Sequence, residues 1–329
     1  MALSLQDAYG RSISYLRISL TDRCNFRCVY CMSENMQFLP RRDLLSFEEI
    51  VTVVKTLIPA GLRKVRLTGG EPLQRRDIGD LVQALAALPG LQELAMTTNG
   101  SHLARWAEPL HRAGLNSINI SLDSLQAERF HQLTRSGRLA DVLAGIAAAA
   151  ALPWARRRLN ALILRDRNDD EIVALAAFAE EQGFDMAYIE EMPLGQIQEH
   201  DRALQQVASA EILATLEHAW GKLTPLAWGS GGPARYFQRP GARQRIGLIS
   251  PHSHNFCADC NRVRLTAEGR LLLCLGQEDA LDLRAVLRQQ GEAAVLPAVQ
   301  QALQRKPFGH TFDLEQPVQI RRYMNMTGG

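Results

Sequence analysis

Lysine is almost missing from this chain. Of its 37 basic residues only four are lysines, at positions 55, 64, 222 and 306, and the rest are arginines. Guanidinium forks suit phosphate, but a bias this broad reads first as the codon preference of a G+C-rich genome, so single arginines have to be judged by position. Net positive charge is scarce too. A formal charge of +2 gives no argument for nucleic acid or for an anionic membrane surface as a partner. Long apolar runs are lacking: the longest, Ala144 to Ala155, is Ala-rich, broken by Pro153 and too short to span a bilayer. The first ten residues include Asp7 and hold no apolar core, so no secretory leader is expected and the cytoplasm is the expected location. Repeats and low-complexity tracts do not occur. What is present, 46% hydrophobic and 22% charged residues over 329 positions, has room for one barrel-sized domain and a smaller appendage.

The chain also has no spare cysteine. All six fall into two sets of three: Cys24, Cys28 and Cys31, spaced C-x3-C-x2-C with Tyr30 before the last, and Cys257, Cys260 and Cys274, spaced C-x2-C-x13-C. Ordinary electron-transfer clusters use four cysteines, and structural zinc sites close all four positions. Three thiolates can hold three irons of a [4Fe–4S] cubane and leave the fourth open for chemistry. The competing reading is a zinc knuckle that borrows a histidine, and His252 and His254 lie close to the second set. Disulfides fit poorly with such clustered spacing and with the absent leader. The first set resembles that of the radical S-adenosylmethionine (SAM) superfamily. That resemblance implies an open iron that binds SAM and a 5'-deoxyadenosyl radical made by one-electron cleavage.

From Tyr15 to about Glu191, short apolar runs alternate with amphipathic stretches, as β/α units do. Strands are expected at Tyr15–Leu20, Lys64–Leu67, Glu93–Thr97, Ser117–Ser121, Leu159–Leu164 and Met186–Glu190. Helices are expected from near Ser46, Asp77, Ser101, Leu125 and Asn168, with another over about Ala140–Ala151. Ser46 and Glu49 have the spacing of a capping box. Six such units fit an α/β fold, an open partial (β/α)6 barrel related to the TIM barrel, over residues 1–195. Residues 196–329 form a C-terminal extension that carries the second cysteine set. It opens with a polar stretch (Gln196 to Gln206) and a helix near Ala208–Trp220, and continues through a glycine loop at residues 229–233 and two short strands. Val263–Thr266 and Arg270–Cys274 then read as a hairpin returning Cys274 to its partners, before helices over Leu281–Gln289 and Ala293–Gln304. Gly69-Gly70-Glu71-Pro72, Thr97-Thr98-Asn99-Gly100, Ser121-Leu122-Asp123-Ser124 and Glu190-Glu191-Met192-Pro193 all fall at strand ends, where parallel α/β folds build their sites.

Val65-Arg66-Leu67-Thr68-Gly69-Gly70-Glu71-Pro72, Asn261-Arg262-Val263-Arg264-Leu265, the second cysteine set and the terminal Gly328-Gly329 together resemble the GTP cyclases of molybdenum-cofactor biosynthesis, from about Leu16 to the end of the chain. The resemblance implies two [4Fe–4S] clusters and bound SAM. Tyr30, Gly70, Ser121 and Met192 would line the SAM pocket, where Gly70 permits close approach. Arg17, Arg66, Thr97, Arg158, Arg262, Val263 and Arg264 would hold GTP. Arg262 and Arg264 alternate on one strand face two residues after Cys260. Arg17, Gly328 and Gly329 would be catalytic, the side-chain-free tail threading into a crowded channel. The implied reaction removes the ribose 3' hydrogen of GTP and joins C3' to C8. It gives (8S)-3',8-cyclo-7,8-dihydroguanosine 5'-triphosphate, in the first step towards molybdopterin, as a lyase.

The sequence departs from that pattern in places. Arg158 stands where the family usually has a substrate-contacting lysine two residues before the Asn of the fifth strand. Ser33 replaces a common Pro, and Gly276 a common Phe. The implied partners are GTP, a flavodoxin- or ferredoxin-like electron donor and the next enzyme of the pathway, and a homodimer is compatible. Two other readings are a radical SAM peptide-modifying maturase with an auxiliary cluster, and a zinc- or iron-binding interaction protein. The first would not be expected to carry the Arg-x-Arg and terminal Gly-Gly, and the second would not need the strand-end motifs.

Overall fold

Three five- or four-residue segments, Tyr15–Ser19, Lys64–Thr68 and Arg262–Leu265, alternate polar and aliphatic side chains, and that alternation governs how the sheet is built. The computed structural model describes residues 4–197, 201–227, 232–316, 318 and 320–328. Gly329, residues 229–231 of the glycine loop and residues 198–200 of the polar stretch lie outside the described residues.

Twelve strands, among the described residues, form one sheet. In chain order they are β1 (Tyr15–Ser19), β2 (Lys64–Thr68), β3 (Glu93–Thr98), β4 (Ser117–Ser121), β5 (Arg156–Leu162), β6 (Asp185–Ile189), β7 (Thr224–Leu226), β8 (Arg235–Gln238), β9 (Ile246–Ile249), β10 (Arg262–Leu265), β11 (Arg270–Leu272) and β12 (Ala280–Asp282). Their order is β12-β11-β10-β1-β2-β3-β4-β5-β6-β9-β8-β7, and every pairing from β10 across to β9 is parallel. The open (β/α)6 arrangement read from the sequence is therefore present. The C-terminal extension adds one parallel strand to each side of it, and antiparallel strands complete both edges.

The crossovers carry α1 (Phe47–Leu57), α2 (Ile78–Ala86), α3 (Leu103–Arg112), α4 (Ala127–Thr134), α5 (Leu139–Ala150) and α6 (Ile172–Glu181). After β6 come α7 (Arg202–Gln205) and α8 (Ser209–Trp220), and later α9 (Leu283–Gln290), α10 (Val295–Leu303) and α11 (Met324–Thr327). Helix α1 shows why these segments are helical. Ser46 Oγ accepts from the Glu49 N–H at 3.2 Å, while Glu49 Oε2 accepts from the Ser46 N–H at 2.8 Å. Two of the helix's orphan donors are thereby satisfied. Ile50, Val53, Val54 and Leu57 then form a buried stripe at helical spacing, each worth roughly 1.5–3 kcal/mol of apolar burial. They pack on Leu16, Ile18, Val65 and Leu67, the outward half of the strand alternation, in one large core. The inward half, Tyr15, Arg17, Lys64, Arg66, Arg262 and Arg264, faces a cavity.

The fifth strand differs from the expectation at both ends. It begins at Arg156 rather than Leu159, because strands that line a polar cavity need no apolar inner face. Arg156 and Arg158 point inward, and Arg157 is tied outside to the carbonyls of Ala150 and Gly183. It ends at Leu162 rather than Leu164, where the Leu162 N–H turns from the ladder to Asp123 Oδ1 at 2.9 Å. Strand β7, before the glycine loop, had no signal in the hydrophobic pattern. No helix among the described residues is long and apolar enough to cross a membrane.

Candidate active site between the two cysteine sets

The first cysteine set sits on the loop after β1, and motifs at the ends of β2 and β3 hold that loop in place. The Gly70 N–H donates to the Thr21 carbonyl at 2.7 Å, and the Glu71 N–H to the Arg23 carbonyl at 2.8 Å. A Cβ at Gly70 would lie 2.3 Å from the Arg23 oxygen. The close approach that glycine permits here is to the cysteine loop itself. Glu71 is fully buried and accepts from Leu73 N–H, from Thr98 Oγ1 at 2.8 Å and from Asn99 N–H at 2.7 Å. Burial pushes its carboxyl up to about 7 against those hydrogen bonds. Asn99 in turn donates to Asn25 Oδ1 at 3.0 Å and to Cys24 Sγ at 3.7 Å.

The three thiols act on one another. Burial, then Glu71, pushes Cys24 up to about 12; burial, then Cys24, does the same to Cys31. Cys28 is driven well above the usual thiol range by burial and by Cys31. Three enclosed thiols in mutual electrostatic range need a strong cationic partner to exist as thiolates. Yet no three Cys, His, Asp or Glu side chains among the described residues come together closely enough for one metal ion. Three enclosed soft donors are the ligand type that iron–sulfur clusters take.

Tyr30, beside Cys31, donates its phenol proton to Asp123 Oδ2 at 2.6 Å. Burial pushes Asp123 up to about 6, against the hydrogen bonds from Tyr30 and the Leu162 N–H. This fixes Tyr30 on the wall of a cavity that Ser121 and Met192 also border. The same cavity continues to Thr97, Arg158 and the whole second cysteine set.

One wall of that cavity is strongly cationic, and strand register makes it so. Tyr15 pairs with Arg262 on one side and Lys64 on the other; two residues on, Arg17 pairs with Arg264 and Arg66. Two rows of cations therefore run across β10, β1 and β2. Glu93 approaches Lys64 at 3.0 Å, Arg156 at 3.7 Å and Arg66 at 4.0 Å. Arg66 Nε donates to Tyr15 Oη at 2.9 Å and Nη1 to Thr97 Oγ1 at 3.3 Å. The crowding is visible in the titrations. Burial raises the Tyr15 phenol, but Arg66, Arg17, Lys64 and Arg262 together bring it down to about 7. Burial brings Arg17 down to about 10, and burial, Arg17 and Arg262 pull Arg264 well below the usual guanidinium range. Arg262 Nε and Arg264 Nη1 are buried donors with no acceptor. Such groups are rare in folded proteins and mark a site built for an anionic ligand.

Arg158 stands opposite this wall. It donates from Nε to Asn160 Oδ1 at 2.9 Å and from Nη1 to Tyr236 Oη at 2.8 Å. Asn119, with its amide oxygen turned towards them, accepts from Arg158 Nη2 at 2.7 Å and Arg66 Nη1 at 3.2 Å. The planar fork is held by residues of β4, β5 and β8, which an ammonium could not replace bond for bond.

At the far end of the cavity Cys257, Cys260 and Cys274 line its wall, Cys274 feeling the charge of the other two. Arg11 secures them from the N-terminal segment, donating to the Cys257 carbonyl at 2.6 Å while paired with Asp7 at 2.6 Å. Burial raises Cys260, but Lys306 and Arg262 more than offset this and leave it below its ordinary value. His252 Nε2 donates to the Glu191 carbonyl at 2.7 Å. His254 stands in the same turn, its N–H on the Ser250 carbonyl.

The tail closes the other end. The Met324 N–H donates to the Cys31 carbonyl at 3.2 Å, Asn325 Nδ2 to the Asp22 carbonyl at 2.8 Å, and Arg17 Nη2 to the Gly328 carbonyl at 2.9 Å. The structure brings Arg17, Tyr30, Arg66, Thr97, Ser121, Arg158, Met192, Arg262, Val263, Arg264 and the second cysteine set to the wall of one cavity, whereas Cys24, Cys28, Cys31, Gly70 and Gly328 do not line it. Sequence reading missed Tyr15, Lys64, Asn119 and Asp123. Tyr15 and Lys64 had a signal, since each stands two residues before a chosen arginine on the same strand face. Asp123 lay within a strand-end motif already singled out.

Residues 18–179 match the Radical SAM superfamily and residues 184–312 match Molybdenum Cofactor Synthesis C. The chain is 55% identical over 329 residues to a GTP 3',8-cyclase of Pseudomonas putida, covering 99% of this chain and 98% of that one. It is 54% identical over 328 residues to GTP 3',8-cyclase 1 of Pseudomonas aeruginosa, covering 98% of each. Among solved structures it is similar to Streptococcus suis SuiB bound to S-adenosylmethionine, with a TM-score of 0.58 at 15% identity. That match takes in 82% of this chain and 63% of SuiB, and it speaks for the fold alone.

Proposed function

The chain belongs to the GTP 3',8-cyclase family of radical SAM enzymes, and from that premise we propose how its cavity divides the work. The reaction is cyclisation of GTP to (8S)-3',8-cyclo-7,8-dihydroguanosine 5'-triphosphate, the first step of molybdenum cofactor biosynthesis. Cys24, Cys28 and Cys31 would hold a [4Fe–4S] cluster that, with SAM, would supply the radical chemistry at the ribose, and Cys257, Cys260 and Cys274 would hold a second cluster that would supply Lewis-acid chemistry at the guanine.

In this division, residues 1–195 build the SAM end and residues 196–329 the guanine end. Tyr30, anchored by Asp123, fixes one edge of the SAM site, which Ser121 and Met192 complete. Gly70 and Glu71 set the cysteine loop. Arg17, Arg66, Arg262 and Arg264 bind the triphosphate. An anion of high charge relieves their mutual repulsion, so affinity and placement come from the same groups. Thr97 and the backbone of Val263 border the ribose, and Arg158 holds the opposite side. The tail at Gly328, its carbonyl held by Arg17, excludes water from the space around that guanidinium.

The observation that carries this reading is the concentration of cations in register across three neighbouring strands, Arg262 with Lys64 about Tyr15 and Arg264 with Arg66 about Arg17, set between two three-cysteine sets. A peptide-modifying role would share the barrel but has no use for so many fixed cations. Reconstituted protein given dithionite, SAM and GTP deuterated at C3' under anaerobic conditions tests it. Deuterium in 5'-deoxyadenosine is the expected result; SAM cleavage with no deuterium transfer would remove GTP as the substrate. The further partners are a low-potential donor of the flavodoxin or ferredoxin kind and the next enzyme of the pathway, with the cytoplasm as the compartment.

A further inference from the structure

Lys306 is one of four lysines in the chain and is 2% exposed. The others are otherwise placed: Lys55 and Lys222 are exposed or nearly so, and Lys64 is paired with Glu93. Lys306 follows α10 and borders the cavity beside Cys257, Cys260 and Cys274. Its ammonium makes one hydrogen bond, from Nζ to the carbonyl of Leu273 at 2.5 Å, on the residue preceding Cys274. Among the described residues no carboxylate pairs with it. Two of its three N–H bonds are left without a protein acceptor.

A buried ammonium in that condition is expensive; the effective penalty is several kcal/mol per ion unless a partner of opposite sign offsets it. The cysteines at its end of the cavity supply the opposite sign as thiolates. Lys306 borders the same cavity as all three cysteines and holds the carbonyl next to Cys274. The stem that carries the charge is fixed by burial, so the charge cannot swing away into solvent. In a chain that uses arginine almost everywhere else, this position holds a compact point charge rather than a planar fork.

We propose that Lys306 is the built-in counter-charge of the second cysteine set, a positioning residue whose ammonium helps hold that cluster in place and raises its reduction potential. The proposal rests on the reading that Cys257, Cys260 and Cys274 bind a [4Fe–4S] cluster. Cluster potential follows net charge and the hydrogen bonds made to its sulfurs. A fixed cation stabilises the more negative, reduced state. It thereby also stabilises a state with less Lewis-acid character towards a guanine, so the charge balances substrate binding against reducibility.

Two full-length variants separate charge from packing. Lys306→Gln keeps a donor for the Leu273 carbonyl and removes the charge. Lys306→Arg keeps the charge in a different shape. Each is reconstituted anaerobically, its iron, sulfide and zinc are measured, and the second cluster is followed by electron paramagnetic resonance through a redox titration, with the first cluster as internal reference. The expected result is a second-cluster midpoint moved to more negative potential in the Gln variant, with the first unmoved, and a midpoint close to the parent's in the Arg variant. Loss of the second cluster in the Gln variant alone carries the same conclusion, since both variants can still donate to Leu273. An unmoved midpoint in the Gln variant, an equal shift in both variants, or loss of the cluster from both overturns it. Zinc without sulfide in the parent protein would instead remove the cluster reading, and is seen in the metal content before any potential is measured.

Discussion

The guanidinium of Arg17 grips the carbonyl oxygen of Gly328, at 2.9 Å from Nη2 and 3.3 Å from Nε, across 311 positions of sequence. Arg17 lies at the centre of the cation wall, between Arg264 and Arg66 in register. The group best placed to meet a triphosphate is therefore the group that holds the tail. Asn325 and Met324 fasten the same tail to the backbone of the first cysteine loop. Tail, loop and cation wall form one unit, and a change at the end of the chain reaches both ends of the chemistry.

Gly328 has a φ of 76°, and a Cβ there would lie 2.0 Å from Thr68 Oγ1. Gly328→Ala is expected to expel the tail, since left-handed backbone and a hard contact add together. Removing Gly328 and Gly329 should act in the same way. Product formation should fall at least tenfold in both proteins while iron and sulfide stay at parental levels, as measured by chromatography of the cyclised nucleotide and by metal analysis. Full activity after truncation would show that the Arg17 contact is idle.

The cation wall trades stability for function. Arg264 has a buried donor with no acceptor and repulsive neighbours in Arg17 and Arg262. Arg264→Gln should therefore make the GTP-free protein more stable, by about 2–4 °C in Tm for each ~1 kcal/mol of relieved repulsion. It should also weaken GTP binding by roughly 10- to 100-fold, the loss of one charge-assisted contact of about 1.5–3 kcal/mol. Differential scanning fluorimetry with and without GTP measures both. A drop in Tm without nucleotide would mean that Arg264 is a structural residue.

Much of the site could be read from the chain because its chemistry is carried by rare residues at short spacings. Six cysteines in two triplets admit few interpretations, and Arg262-Val263-Arg264 shows its strand face by alternation alone. The first half of the barrel was equally plain, since Ser46 with Glu49 marks a helix start and Ser117–Ser121 alternates cleanly. What stayed hidden depends on register and tertiary approach. Nothing in the sequence says that β10 lies beside β1, so the meeting of Arg264 with Arg17 could not be foreseen. The strand Arg156–Leu162 was read late because inward arginines break the hydrophobic pattern on which such readings rest. Gly70 was taken to be small for the sake of a ligand, whereas its tightest neighbour is the carbonyl of Arg23.

Glu71 offers a test through pH. Its folded-state value of about 7 lies above the ordinary 4.5. A raised carboxyl binds its proton more tightly when folded, so its contribution to stability is fully present below about 4.5 and is lost as pH rises through about 7. Glu71→Gln lacks that titration but must turn an amide N–H2 towards one of three donors, so it should be less stable at every pH. The gap in Tm between parent and variant should narrow from pH 5.5 to 7.5. Asp123, raised to about 6, titrates in both proteins and cancels from the difference. A gap that stays constant with pH would show that the Glu71 carboxyl is ionised in the folded protein throughout.

The two cysteine sets should fail in different ways. Cys28 belongs to the set on the loop beside Tyr30 and the tail, and Cys260 to the set that lines the cavity with Arg262 and Lys306. Each single replacement by alanine should lower iron from about eight to about four per chain, as expected for two four-iron clusters. Cys28→Ala should then form no 5'-deoxyadenosine, with or without GTP, because nothing remains to cleave SAM. Cys260→Ala should still cleave SAM slowly but form no cyclised nucleotide, and its GTP affinity should fall while the cation wall retains part of it. Retained deoxyadenosine formation by Cys28→Ala would refute the assignment of the first set. Equal loss of SAM cleavage in both variants would mean that the sets act as one site, and the division of the cavity into a SAM end and a guanine end would have to be given up.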